Sequence, residues 1–327
     1  MPILTMRQDF RAPAFGPAST RDIYAAAIEQ MRWAASQGFD FLVLSEHHGV
    51  DDGWMPAPLT MAASLLGATE RVPVLLSAAI VPLHDPVRLA EQIAVIDNAH
   101  PGRLWTVLGA GYREEEFAMA GADHRSRGRT LEEYTAVMLR AWTGEPFEWR
   151  GRTIRVTPRP VTQPHPTVLM GGGVPAAARR AARLRLPMLP MNTDESVVAA
   201  YHDEARRVGF DGGFVMVPEG PTFVHVCDDP ERAWEEIAPY LLYETQTYAS
   251  FQTPGQHSTP RVDARDVADL RRAPQIWVGT PDDIVARAKE LPPGAALNFH
   301  PLAGGLPPDV AWSSLELFAR NVLPRLR

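Results

Sequence analysis

The chain has 327 residues, 45% hydrophobic and 22% charged, which suits one large α/β domain or two ordinary ones around a sizeable core. A net charge of −7 and a pI of about 5.8 exclude the basic stripe of a nucleic-acid binder. The single cysteine, Cys227, excludes internal disulfides and cysteine-rich metal sites.

Met1–Arg7 shows no basic segment followed by an apolar stretch, so no signal peptide is expected. The apolar run Val72–Leu83 is too short to span a bilayer and contains Pro73 and Pro82. A soluble, cytoplasmic protein is the expectation. Residues 3–7 predict a short strand. Ser19-Thr20-Arg21-Asp22 opens a helix with cap-type residues; Ile23, Ala27, Ile28, Met31 and Ala35 give it an apolar face, and Gly38 ends it. The apolar run Phe39–Leu44 then stops at Ser45-Glu46-His47-His48. Such a run predicts a parallel strand buried on both faces, with titratable groups at the end where α/β proteins place chemistry.

The loop Gly49–Ala57, a helix over about Pro58–Ala68 and a strand over Val72–Ile80 follow. Asp85-Pro86 starts a helix to about Ala99. The strand Leu104–Leu108 ends in Gly109-Ala110-Gly111-Tyr112, and 112–127 is a charge-rich loop before a helix opened by Thr130 and Glu133. Residues 146–166 predict a surface insertion with a hairpin around Arg150-Gly151. Beyond it come the strand Thr167–Met170, ending in Gly171-Gly172-Gly173, a helix from Pro175, a short strand Pro187–Met191 and a helix through Val197 and Val208. The strand Pro221–Cys227 and the helix Pro230–Ala249 precede 250–275, whose lack of periodicity predicts a mobile lid or a disordered segment. Thr280-Pro281-Asp282-Asp283 caps a further helix; Ala295–His300 is the last strand and Pro308–Leu323 the last helix. Eight strands alternating with eight helices predict a single-domain (β/α)8 TIM barrel over 1–327, with a doubly wound sheet as the alternative.

Glu46-His47-His48 lacks the His-Glu-x-x-His spacing of a helical zinc site, and no other strand end carries a His-x-His pair, so no metal is expected. The glycine-rich ends of strands four and five supply no second carboxylate for glycoside hydrolysis, and Gly-x-Ser-x-Gly is absent. Glycine at a strand end lets backbone N–H groups approach a ligand, and a helix starting just after favours an anion. Gly171-Gly172-Gly173 before the Pro175 helix fits a phosphate site, or else a tight turn. Gly109-Ala110-Gly111 begins a dinucleotide motif, but Glu114 stands where the third glycine belongs. A cofactor with one phosphate and a flat ring, lying across strand ends two to five, fits better.

An ordered series of stretches carries a resemblance. It runs through Gly38–His48, Leu66–Arg71, Ser77–Pro82, His84–Glu91, Gly102-Arg103-Leu104, Gly109–Tyr112, Arg127-Gly128-Arg129, Gly171–Gly173, Arg179–Ala182 and Val278–Pro281. Together they resemble the bacterial luciferase-like superfamily of flavin- and F420-dependent oxidoreductases. The resemblance implies a (β/α)8 barrel with an insertion after strand seven, and a monooxygenase using reduced FMN and O2, with His47 as catalytic acid/base and Glu46 tuning it; the apolar wall candidates named below suggest a small apolar substrate. Coenzyme F420 carrying a hydride is the alternative, and a non-catalytic flavin-binding protein the third reading. It implies a cis peptide at Ala78-Ala79 behind the ring, with Gly109, Gly111, Gly171, Gly172 and Gly173 around the cofactor. Luciferase itself differs here, with an arginine at the Gly109 position and a glutamate and a serine at Gly171-Gly172. Trp54, Tyr112, Met191 and His300 are expected in the substrate pocket, and Phe10, Met55, Trp277 and Phe299 are further wall candidates. A homodimer and a separate flavin reductase are the implied partners.

Overall fold

The computed structural model describes residues 1–252 and 258–327. The strands are β1 (Ile3–Gln8), β2 (Phe41–Leu44), β3 (Val74–Ile80), β4 (Leu104–Gly109), β5 (Phe147–Trp149), β6 (Arg152–Ile154), β7 (Val168–Gly172), β8 (Met188–Pro190), β9 (Phe223–Val226), β10 (Ile276–Gly279) and β11 (Ala296–Phe299). The helices are α1 (Thr20–Ser36), α2 (Pro58–Ala68), α3 (Pro86–Ala99), α4 (Glu114–Ala120), α5 (Arg127–Ala141), α6 (Pro175–Arg183), α7 (Glu195–Arg207), α8 (Pro230–Phe251), α9 (Val267–Arg272), α10 (Pro281–Lys289), α11 (Pro308–Leu317) and α12 (Leu323–Leu326). The chain forms two compact units. The first is Met1–Val43, Val50–Pro56 and Pro218–Arg327; the second is Leu44–Gly49 and Ala57–Val217. The α/β, mostly parallel character expected from the sequence is present in both. Among the described residues no helix is long and apolar enough to cross a membrane.

In the second unit β3, β4, β7 and β8 pair in that order, all parallel. α3 buries Leu89, Ala90, Ile93 and Ala94, the three-and-four spacing of a helix laid on a sheet, and Trp142 at the end of α5 donates its indole N–H to Ala90 O at 3.0 Å. The β3–β4 register slips between Ser77 and Ala79, which leaves Ala78 as an extra residue. The cis peptide is Ser77–Ala78, one bond earlier than the Ala78-Ala79 bond expected, and it leads into the unpaired residue. The expected hairpin is β5–β6, turning on Arg150 and Gly151, both at positive φ. Thr162 in the same insertion donates to Asp97 of α3 through its N–H (2.8 Å) and its hydroxyl (2.6 Å), and Ile154 and Val156 are buried. Residues 146–166 are thus fastened to the unit.

In the first unit β11 and β2 flank β1, and β9 pairs parallel with β10. Phe223, Trp234, Ile237, Leu241, Leu270 and Ile276 share a core with Val262 and Ala264. Within 250–275, where periodicity predicted no structure, the described residues carry some: α8 runs to Phe251, two residues beyond the expected end, and α9 is a short helix. Residues 253–257 of the expected lid lie outside the described residues.

Candidate active site

β2 delivers the polar cluster. Its strand pairing stops at Leu44, and Ser45, Glu46 and His47 are all buried at its carboxyl end. The two central side chains part company there. Glu46 Oε1 accepts from His48 Nε2 at 2.8 Å and from His84 Nε2 at 2.6 Å, while Oε2 accepts the Ile80 N–H at 2.7 Å. Burial pushes the Glu46 carboxyl up, but the His48 and His84 hydrogen bonds outweigh it and bring it down to about 2. Glu46 is therefore an ionised brace between the β2 end and the residue that closes β3.

His47 turns the other way. Its Nδ1 lies 2.8 Å from Glu116 Oε1, and its Nε2 lies 3.2 Å from the Tyr112 hydroxyl. Glu116 also accepts the His48 N–H at 3.1 Å and Arg113 Nη1 at 3.2 Å. Burial raises the Glu116 carboxyl, and the His47 bond and charge, the His48 N–H and Arg113 together lower it below the usual range. A carboxylate only accepts, so His47 Nδ1 carries a proton, and in the neutral imidazole Nε2 accepts from Tyr112 O–H. Glu116 Oε2 is buried with no hydrogen-bond partner.

Glu116 is the residue the sequence did not single out. It sits in the first turn of α4, inside the stretch expected to be a loop. Glu114 and Glu115 are exposed and Glu116 is buried; three acids at a helix start suit its dipole, and Gly121 at φ 65° ends the helix. His84, quoted within a motif but given no role, is the other unassigned member.

The expected cofactor residues gather in the same unit. A Cβ on Gly109 would lie 2.9 Å from Ala78 Cβ, one on Gly171 3.0 Å from Val107 Cγ1, one on Gly172 2.5 Å from Ala177 Cβ and one on Gly173 2.6 Å from Met191 Cγ. At 109 and 172 a side chain would press on alanine carbons that cannot swing away, whereas at 173 it would meet the flexible Met191 side chain. Ala79 is buried, while Ala78, Gly111, Gly172 and Gly173 are half-buried. Tyr112 and Met191 are half-buried in this unit as well.

Trp54 and His300 belong to the first unit. Trp54 is buried against Tyr248 and Phe251, with the Arg11 guanidinium 4.4 Å above its ring. Arg11 bonds Asp52 at 2.6 Å and also pairs with Glu244. Removing one partner from such a buried set costs about 3–5 kcal/mol. His300 Nε2 lies 3.3 Å from Asp9 Oδ2, and burial lowers the imidazole pKa although Asp9 and Glu244 pull it up. Asp9, Glu244 and His300 present ligand-type atoms within 4.8 Å of one another, but Arg7 and Arg11 already occupy the two carboxylates. Phe10 packs on Tyr24, Phe299 on Phe39 and Phe318, Trp277 under Arg287, and Met55 donates its N–H to Asp9 O.

A parallel sheet whose strand ends are edged by glycine, beside a histidine oriented by an acid, has the layout of an α/β oxidoreductase that holds a flat cofactor. The chain belongs to the luciferase-like monooxygenase family, whose model matches residues 9–292. It is 31% identical to the FMNH2-dependent dimethylsulfone monooxygenase of Pseudomonas putida, over 94% of this chain and 85% of that one. Among solved structures, a monooxygenase from Streptomyces bottropensis matches with a TM-score of 0.78 at 21% identity, covering 99% of this chain and 100% of its own. An F420-dependent secondary alcohol dehydrogenase, bound to an F420–acetone adduct, matches at 0.70 and 16%, covering 100% of both. These two likenesses show the fold.

The residues present fit a flavin nucleotide. Val174, the N-cap of α6, makes no side-chain cap hydrogen bond, and the first turn holds no acid; with two half-buried glycines before it, this helix end suits a phosphate. At the ends of β3 and β4, Ala78, Ala79 and Gly109 present only small side chains or bare backbone, as a flat ring requires.

Proposed function

We propose that this protein is a monooxygenase that uses reduced FMN and O2 to oxygenate a small apolar substrate, on a (β/α)8 barrel. The observation that carries the reading is the His47–Glu116 pair: a buried imidazole with its tautomer set by an ionised acid, beside glycine-edged strand ends. Its kinship with an FMNH2-dependent enzyme along nearly its full length supports the cofactor. Reduced FMN, when bound, supplies the electrons that let O2 give one oxygen atom to the substrate. The chain does the rest. The α6 end and Gly172–Gly173 hold the phosphate, and the Ala78–Ala79 and Gly109 backbone seats the ring. His47 and Tyr112 hold a proton, with Glu116 compensating its charge. Glu46, through Ile80 N–H, keeps the seat in place. Tyr112 and Met191 border the substrate. A homodimer supplied by a separate flavin reductase in the cytoplasm completes the proposal.

A second reading, hydride transfer with coenzyme F420, is favoured by glycine at 109, 171 and 172, where luciferase carries larger polar groups. Titration with FMN and F420, each oxidised and reduced, distinguishes them. Tightest binding of reduced FMN is expected; binding of F420 alone overturns the proposal.

A further inference from the structure

Tyr112 entered as a wall of the substrate pocket, and its geometry assigns it more. We propose that Tyr112 is the catalytic residue that hands the proton to the reacting oxygen, with His47 behind it as proton partner. The inference rests on the monooxygenase reading above. His47 is 5% exposed, and side chains engage both ring nitrogens: Glu116 at Nδ1 and the Tyr112 hydroxyl at Nε2. A reactant therefore reaches the imidazole only by displacing Tyr112. The phenol is half-buried and meets the imidazole edge-on, with ring centroids 5.6 Å apart at 67°.

The backbone that carries Tyr112 is held on both sides. Gly111, at φ +72°, places the turn so close that a Cβ would lie 2.6 Å from Ile80 Cγ2 and 2.9 Å from the Phe117 ring. Tyr112 O accepts from His124 Nε2 at 3.2 Å. The hydroxyl is thus aimed by the chain and not by rotation of a loop.

In the donating direction His47 is an imidazolium, with Nδ1–H on Glu116 and Nε2–H on the Tyr112 oxygen. The Tyr112 O–H bond breaks as the acceptor oxygen gains its proton. The His47 Nε2–H bond then breaks as the Tyr112 O–H is restored, and His47 is left neutral with Nδ1–H still on Glu116. No electrons leave the protein in this step. Among the described residues, Glu116 of α4, Arg113 just before it and His124 from the segment after α4 are charged or titratable side chains facing the pair, while His48 reaches Glu116 through its backbone N–H and turns its imidazole to Glu46. Glu46 faces His48 and His84, away from the relay.

Tyr112→Phe keeps the ring and removes only the hydroxyl. In the cofactor-free protein labelled with 15N-histidine, the His47 Nε2 resonance, assigned by its loss in His47→Ala, is expected to shift in Tyr112→Phe. With reduced FMN bound, reoxidation by O2 in a single turnover is expected to slow by about 10²-fold and to lose the solvent deuterium isotope effect of the wild type, with FMN affinity retained. An unshifted resonance, or a variant that matches the wild type in rate and isotope effect, overturns the inference while leaving the monooxygenase reading in place. Failure of the wild type to bind reduced FMN overturns both.

Discussion

Glu46 and His47 are adjacent in sequence and serve different partners, which decides how each responds to pH. Glu46 is held down to about 2 by its two histidines against the upward push of burial, from an ordinary 4.5. Its contribution to stability is complete above about 4.5 and is lost as the pH falls toward about 2. His84 runs the opposite way: burial lowers it, Glu46 raises it further, and the net shift is upward from 6.5. Its contribution is complete below 6.5 and is lost as the pH rises through the raised value. Glu46→Gln is therefore expected to lower the melting temperature at neutral pH and to flatten its fall between about 4.5 and 2. Parallel acid limbs in wild type and variant would contradict this. The sequence located the cluster, and the resemblance separated His47 from its neighbours, but the acid that orients His47 lies 69 positions away. Glu116 stayed hidden because nothing local distinguishes it from Glu114 and Glu115; only the packing of α4 buries one of the three.

At the scale of elements, long apolar runs were legible and short pieces were not. β3, β4 and β7 lie within two residues of their expected bounds. α4 has seven residues, fewer than two turns and a half, which is too short for a helical apolar face to stand out. β10 has four residues and was absorbed into the approach to the Thr280 cap. The bulge at Ala78 leaves no mark in the sequence, and the resemblance put the cis bond one residue late, at Ala78-Ala79. The β3–β4 contact predicts a sharp steric response. A Cβ on Gly109 would press on Ala78 Cβ at 2.9 Å and on Ala79 O at 3.4 Å, and neither is the tip of a flexible side chain. Gly109→Ala is expected to cost about 1–3 kcal/mol by overpacking and to weaken FMN binding, read from urea unfolding and flavin fluorescence. Unchanged stability and affinity would show that the two strand ends have slack.

At the scale of the whole molecule, composition and alternation announced a parallel α/β protein, and the ordered motifs announced its family. Invisible in the sequence was the division of polar chemistry between the two compact units. The second unit holds the His47–Glu116–Tyr112 array and every glycine assigned to the cofactor. The first holds an arginine-neutralised set, Arg7 with Asp9 and Arg11 with Asp52 and Glu244, and Arg11 alone joins segments 41 and 233 residues away. Pairing of that kind depends on tertiary contact, and no local pattern announces it. The central claim is that His47 works in oxygen chemistry on reduced flavin. The direct measurement is O2 uptake and flavin reoxidation by protein loaded anaerobically with reduced FMN, wild type beside His47→Ala. The account predicts O2 consumption by the wild type, with the bound-flavin reoxidation rate lowered about 10²-fold or more in the variant. O2 uptake no different from that of free reduced FMN, or a variant as fast as the wild type, would contradict it.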